Sequence, residues 1–467
     1  MKYISTRGQA PELGFEDVLL TGLARDGGLY IPAVWPSFSA DKIRSFRGKP
    51  YADVAFEVMK PFVCAPEAEG GIPEADFAEI VHKAYSSFRH KAVVPLNQLD
   101  SNEWLLELFH GPTLAFKDVA LQLLGHLFDY VLTKRGQKVT IVGATSGDTG
   151  SAAIDCVKDR ACAEIFMLHP QGRVSDVQRR QMTTVLSSNV HNIAIEGNFD
   201  DCQAMVKALF NDLAFRDEIT LSAVNSINWA RVMAQIVYYF TSAVALGAPD
   251  RPVSYTVPTG NFGDIYAGYV ASQMGLPVEQ LVVATNVNDI LSRTLNTGDY
   301  TVGTVTPTIS PSMDIQVSSN FERLLFNLYE GQGDQVQRLM NNLAQSGSFS
   351  IDGPALAKAQ KIFDALQVNE EDTRATIKAL FEENHMLVDP HSAVAIKAAR
   401  QTWADRSVPM VSLSTAHPAK FPEAVKNVTG QHPELPPHMA GLFAAEERYD
   451  ELPHDLGALQ TYIRENL

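Results

Sequence analysis

Cysteine is scarce in this chain. Its four cysteines, Cys64, Cys156, Cys162 and Cys202, show no CxxC spacing and are too few for a disulfide framework. No apolar run reaches the ~18 residues that a membrane span needs. The opening, MKYISTRGQAPELGF, has no signal-peptide core and is too short and mixed for a transit peptide. Together these absences predict a soluble chain in a reducing, cytoplasmic setting. Basic residues are outnumbered, 38 Lys and Arg against 54 Asp and Glu, for a formal charge of −16. Such a surface is a poor match for nucleic acid or an anionic membrane. Any anionic substrate would need positive potential concentrated in a pocket. Internal repeats and low-complexity tracts are also missing. With 45% hydrophobic residues, 30 Gly and 25 Pro, that excludes a disordered, collagen-like or coiled-coil chain.

What is present is long enough for two or three packed units: 467 residues, against about 150 for a typical domain. The first ninety or so residues read as a short strand at Tyr3 to Thr6, then helices separated by turn clusters. Phe15 to Leu23 is one such helix, ending before Arg25-Asp26-Gly27-Gly28, and Pro73 to Phe88 is another, with Phe77, Ile80, Val81 and Ala84 on one face. Val93-Val94-Pro95 reads as a crossing into a second unit. From there the rhythm becomes strand, loop, helix. Val139 to Val142 enters GATSGDTG, Ile165 to Leu168 and Val190 to Ile195 follow, and Val253 to Val257 enters PTGNFGD and a helix to about Met274. Leu281 to Ala284 is the next strand and Pro409 to Leu413 the last, while Val287 to Gln367 reads as helical with long loops. Short apolar strands alternating with helices predict an α/β fold whose parallel sheets are covered on both faces, with ligands at the carboxyl ends of the strands.

Lys117 stands out in HGPTLAFKDVALQLLGHLF. Leu121, Leu124 and Phe128 share its stripe, and Phe116, Val119, Ala120, Leu123 and Leu127 make the neighbouring stripe apolar. A helix this apolar around its girth is buried. A buried lysine at a helix start is disfavoured as a cation by desolvation and by the positive dipole end, which suits a Schiff-base nucleophile. The alternative is a lysine snorkelling at a helix end or pairing with Asp118. Two Gly-rich loops, TSGDTG at Thr145 to Gly150 and TGNFGD at Thr259 to Asp264, each follow a strand and open a helix. Such a loop presents N–H groups to a carboxylate or phosphate, although neither matches the P-loop or GxGxxG patterns. His391 in DPHSA and His417 in STAHPAKFP lack metal-ligand spacing and read as structural; no metal site is expected.

AFKD around Lys117, ATSGDTG, NSINWARV at Asn225 to Val232, PTGNFGD, STAHPAKFP and the early GLARDGGLYIP resemble, in order, the motifs of the threonine synthase family. The resemblance spans almost the whole chain. It implies a fold type II pyridoxal-phosphate enzyme, similar to the tryptophan synthase β chain, with two lobes of mostly parallel sheet. An N-terminal α/β domain over 1–95 would precede a catalytic core over 96–467, the smaller lobe running roughly from 125 to 240. It also implies conversion of O-phospho-L-homoserine and water to L-threonine and phosphate by a monomer or homodimer.

Carried across residue by residue, the resemblance makes Lys117 the lysine bonded to pyridoxal 5′-phosphate. The amides of Gly260, Asn261, Phe262 and Gly263, beside Asp264, would hold the cofactor phosphate. Asp148 would face the 3′-hydroxyl and Thr415 the pyridine nitrogen. A hydroxyl there leaves the ring a weaker electron sink than a carboxylate would. Thr145, Ser146 and Thr149 would take the substrate carboxylate. For the substrate phosphate, QGRVSDVQRR and NSINWAR offer several groups, and Arg173, Ser175 and Asn225 are the favoured ones; the family often carries Lys at the position of Arg173. Lys117 would remove the α- and β-protons, phosphate would leave the γ-carbon, and water would add at the β-carbon. Lys420 reads either as structural or as a charge standing behind the site. Two rivals stand beside this reading: a phospho-lyase that releases a 2-oxo acid, and a non-catalytic binding protein on the same fold.

Overall fold

The computed structural model describes residues 1–222 and 224–467. Two sheets organise it. The larger has six strands in the order Phe363–Gln367, Val278–Thr285, Val253–Pro258, Met410–Ser414, Glu103–Glu107 and Leu96–Gln98. All its neighbours are parallel except the last pair. The smaller runs Asp450–Leu452, Val190–Ile195, Ala163–Pro170, Val139–Ala144 and Leu221–Ser222, parallel throughout. The central strands are buried apolar runs, as a parallel sheet covered on both faces requires.

The helix Lys117–Arg135 lies between the two sheets in the chain and is buried on most sides, from Val119 through Leu132. Gly125 lets it approach the helix Asp148–Val157, since a Cβ there would stand 2.2 Å from the Cys156 carbonyl oxygen. Near the N-terminus, Tyr3–Ser5 pairs antiparallel with Tyr30–Pro32. The helices Tyr51–Val63 and Glu74–Tyr85 pack beside them, joined to the main core through Tyr3, Phe62 and Trp229.

Most predicted elements occur with ends moved by a few residues. The differences lie in strands that periodicity cannot reveal. Phe363–Gln367, inside the stretch read as helical, is an edge strand of the larger sheet, and Asp299–Thr301 pairs antiparallel with Ser348–Ser350. Asp450–Leu452, far beyond residue 240, closes one edge of the smaller sheet, and the helix Leu456–Glu465 covers it with Leu459 and Ile463. Edge strands of three to five residues carry too little apolar sequence to announce themselves.

Candidate active site

Lys117 is the first residue of its helix and is only 8% exposed. Its Nζ lies 3.6 Å from Asp148 Oδ2 and sits over the Phe116 ring. Burial pushes the Lys117 ammonium pKa down, the cations Lys420 and Arg231 push the same way, and Asp148 pulls against them. The segment before the helix is fixed by a bridge between Ala115 and Ala416, in which Phe116 donates its N–H to the Thr415 carbonyl and His417 donates to that of Leu114. Lys117 and Thr415 are thereby brought together by the end of the strand Met410–Ser414.

Asp148 opens the helix Asp148–Val157. Its Oδ1 accepts from Gln178 Nε2 at 2.8 Å and stands 3.1 Å from Lys420 Nζ, and its Oδ2 takes Ser312 Oγ at 3.4 Å. Burial alone would raise its pKa, but Lys420, Lys117 and His391 hold it well below the usual carboxylate range. Thr145 is turned inward. Its Oγ1 accepts from Gly147 N and Gly150 N, so this hydroxyl shapes the loop, while Ser146 and Thr149 are half-buried. Gly147 adopts φ 137°, a conformation that side chains rarely reach, and a Cβ there would strike Gln178.

The second loop is held by its carbonyls. Ser318 Oγ donates to Gly260 O at 2.8 Å, and Asn320 donates to Asn261 O from both its backbone and its side chain. The N–H groups of Gly260, Asn261, Phe262 and Gly263 have no protein acceptor among the described residues. They lead into the start of the helix Gly263–Gln273. Phe262 takes a left-handed φ of 62° and is anchored against Phe321 and Phe363. A run of unpaired N–H groups at a helix N-terminus fits a phosphate dianion, so this chain's residues suit the cofactor's phosphate. Asp264, in the first turn, directs Oδ1 to the hydroxyls of Tyr238 and Tyr239, and burial raises its pKa to about 6.

The candidate phosphate-binding groups are not alike. Arg173 and Asn225 are exposed, and Ser175 caps the helix Asp176–Thr183 by accepting from Gln178 N. Arg179 and Arg180 both pair with Glu447 at 2.9 Å. Asn228 caps the helix Trp229–Ala245 and donates to Leu19 O. Arg231 is buried, donates to Val224 O, and keeps an Nε without a partner among the described residues. Burial lowers its pKa to about 10. A cavity of about 620 Å³, lined by Arg89, Glu107, His110, Leu114, His417 and His438 among others, contains none of the groups proposed for the cofactor.

Both histidines have structural partners. His391 lies 2.8 Å from Asp389 through Nδ1, and its Nε2 accepts from Ser312 N. His417 Nδ1 accepts from Ala419 N, and burial lowers the His417 pKa to about 4. An unfolded histidine takes up its proton near pH 6.5, so the unfolded state binds more protons and stability falls as pH drops from 6.5 to 4. The loss from His417 alone amounts to about 3 kcal/mol at the acid end. Asp118 and Asp264, raised to about 7 and about 6, act with the opposite sign as pH falls toward 3.8. The expected result is therefore a difference: urea unfolding of His417→Asn, which keeps a capping acceptor, loses less stability between pH 6.5 and 4 than the parent does.

Buried Lys420 and Arg231 are the groups that sequence reasoning undervalued, because a lone cation in a polar motif carries no burial signal. The chain and its fold match known proteins. Family models described as "Threonine synthase N terminus", "Pyridoxal-phosphate dependent enzyme" and "Threonine synthase, C-terminal" match residues 2–85, 92–342 and 392–463. The threonine synthase of Pseudomonas aeruginosa is 57% identical over 100% of this chain and 98% of its own. The crystal structure of PLP-bound threonine synthase from Brucella melitensis superposes with a TM-score of 0.96 at 56% identity, covering 100% and 99% of the two chains. The yeast threonine synthase structure gives 0.93 at 40% identity, covering 100% and 98%. The fold is thus that of fold type II pyridoxal-phosphate enzymes, and the chain belongs to the threonine synthase family.

Proposed function

We propose that this chain converts O-phospho-L-homoserine and water to L-threonine and phosphate, with Lys117 as the lysine that bonds pyridoxal phosphate and moves the protons. The observation that carries the reading is the buried Lys117 amine beside Asp148, with the unpaired amides of Gly260 to Gly263 in the same site. When bound, the cofactor would supply an electron sink that makes acidic the proton on the amino-bearing carbon and then those on the carbon beside it. The protein's part is to keep one amine free of its proton, to hold two phosphates and a carboxylate, and to exclude bulk water.

Burial and neighbouring cations lower the Lys117 pKa and so favour its neutral form, the form that a base shuttling protons between adjacent carbons needs. Gly260, Asn261, Phe262 and Gly263 would grip the cofactor phosphate, with Asp264 as the anchor of that helix start against two tyrosines. Asp148 would meet the 3′-hydroxyl and Thr415 the ring nitrogen. Ser146 and Thr149, on a loop shaped by Thr145, would receive the substrate carboxylate. Arg173, with Ser175 and Asn225, would receive the substrate phosphate. Arg173 forms no ion pair among the described residues, while Arg179 and Arg180 are already committed to Glu447. We assign the protein to the cytoplasm, as a monomer or homodimer without nucleic-acid or membrane partners. Its acidic charge is a poor match for nucleic acid or an anionic membrane, and no described helix is long and apolar enough to cross a membrane.

Incubating the enzyme with O-phospho-L-homoserine tests the reading. Phosphate and threonine are expected in equal amounts. Phosphate accompanied by 2-oxobutyrate and ammonia without threonine would establish the phospho-lyase instead, and no phosphate at all would leave only a binding protein.

A further inference from the structure

Lys420 has no exposed surface, yet it carries a cation into the interior. It follows the strand Met410–Ser414 of the larger sheet, and its Nζ reaches across to elements of the smaller one. There it lies 3.1 Å from Asp148 Oδ1, 2.8 Å from Gln181 Oε1 and 3.5 Å from Ser151 Oγ. It also donates to the Thr113 carbonyl at 2.7 Å, in the turn that leads into the Lys117 helix. The same carbonyl accepts from Gln181 Nε2, and Thr113 in turn donates its N–H and hydroxyl to Asp118. Each ammonium proton thus has an acceptor, and the turn before Lys117 is tied to the same group.

Asp148 is shared between two lysines. One oxygen faces Lys420 at 3.1 Å with a second donor from Gln178, and the other faces Lys117 at 3.6 Å with a long bond from Ser312. A buried carboxylate with only Lys117 beside it would hold that amine as ammonium, which can neither attack an aldehyde nor take a proton. We propose that Lys420 is a positioning residue: its buried ammonium clamps Asp148 from across the two sheets and so limits the negative charge that reaches the Lys117 amine. This rests on Lys117 being the cofactor lysine, as proposed above.

The groups facing Lys117 are Asp148, Lys420 and Arg231, with Asp264 at longer range, and those facing Asp148 are Lys420, Lys117 and His391. Among them, only Asp148 and Lys420 form a close pair of opposite charge that leaves Lys117 as the weaker partner. Removing either member therefore shifts Lys117 in opposite directions, and removing both restores the balance.

The test uses the full chain stripped of cofactor, so that catalysis plays no part. Pyridoxal phosphate is added at a series of pH values, and borohydride then fixes whatever has bonded to Lys117. The initial rate of fixation titrates the neutral amine. Lys420→Met is expected to move the midpoint to higher pH; a midpoint one pH unit higher slows capture at pH 7 about tenfold. Asp148→Asn moves it downward, and the double variant Asp148→Asn/Lys420→Met returns close to the parent. If Lys420→Met does not fold, the double variant compared with Asp148→Asn carries the test: a midpoint raised back toward the parent supports the proposal, and one that stays where Asp148→Asn puts it overturns it. An unchanged or lowered midpoint in Lys420→Met overturns it. So does a double variant that is unfolded or displaced as far as the single one. Failure of the parent to be fixed at Lys117 would instead remove the underlying assignment.

Discussion

Lys117→Ala is expected to lower turnover by about 10³-fold or more, since it removes the group assigned both to bond the cofactor and to move protons. The fold should survive, for a specific reason. Deleting one of two lysines beside a buried carboxylate usually leaves a charge without a partner, but here Asp148 keeps Lys420 at 3.1 Å and Gln178 at 2.8 Å. The loop amides of Gly260 to Gly263 are untouched, so pyridoxal phosphate should still bind, reversibly. The measurement pairs threonine formation with borohydride fixation and thermal unfolding. Lost turnover, a cofactor removable by dialysis and a nearly unchanged unfolding midpoint are expected together. Turnover within tenfold of the parent would contradict the assignment of Lys117.

Arg323→Leu carries the largest expected effect on stability. Arg323 is fully buried, and burial lowers its pKa to about 10. It donates twice to the Tyr30 carbonyl, at 3.1 and 2.9 Å, once to Ile227 O at 2.6 Å, and also to Asn320 Oδ1. Those acceptors belong to the N-terminal strand pair, the NSINWAR segment and the residue that grips the Asn261 carbonyl. Leucine fills the volume and satisfies none of them. Each buried acceptor left without a donor costs about 1–3 kcal/mol, so the three together give a loss of about 3–9 kcal/mol. Denaturant unfolding should show it, and hydrogen exchange should rise first around Tyr30 and Ile227. Lysine would not restore the parent, because one ammonium cannot reproduce the planar fork that spans Tyr30 and Ile227. A loss below about 1 kcal/mol would mean that solvent or rearranged side chains replace these bonds.

The two predictions differ in how much of their basis is legible in the sequence. Lys117 is visible because its setting is local. Leu121, Leu124 and Phe128 follow at helical spacing, and an all-round apolar helix must be buried wherever it packs. The two Gly-rich loops are visible for the same reason, as each joins a strand and a helix that neighbouring residues specify. Arg323 and the burial of Lys420 are not visible. FERLLFNL lies in a stretch read only as helical with long loops, and STAHPAKFP leaves Lys420 either structural or a charge standing behind the site. Arg179 and Arg180 present the converse: free cations on paper, paired with Glu447 in space. The short edge strands Phe363–Gln367 and Asp450–Leu452 are likewise set by the sheets they join.

The sequence by itself determined the alternation of strands and helices, the burial of the Lys117 helix, the two Gly-rich loops between strand and helix and, through the resemblance of its motifs, the family. The first three depend on periodicity and turn chemistry within a few residues along the chain. Only the tertiary structure decided which charges meet. It brought Lys420 and Asp148 together, left Arg231 buried without a carboxylate partner among the described residues, and showed how a chain of net charge −16 places cations around one amine. The reason is physical. Hydrophobic patterning is a property of neighbours in sequence, whereas the state of a buried charge depends on the groups within a few ångströms, which the fold gathers from distant parts of the chain.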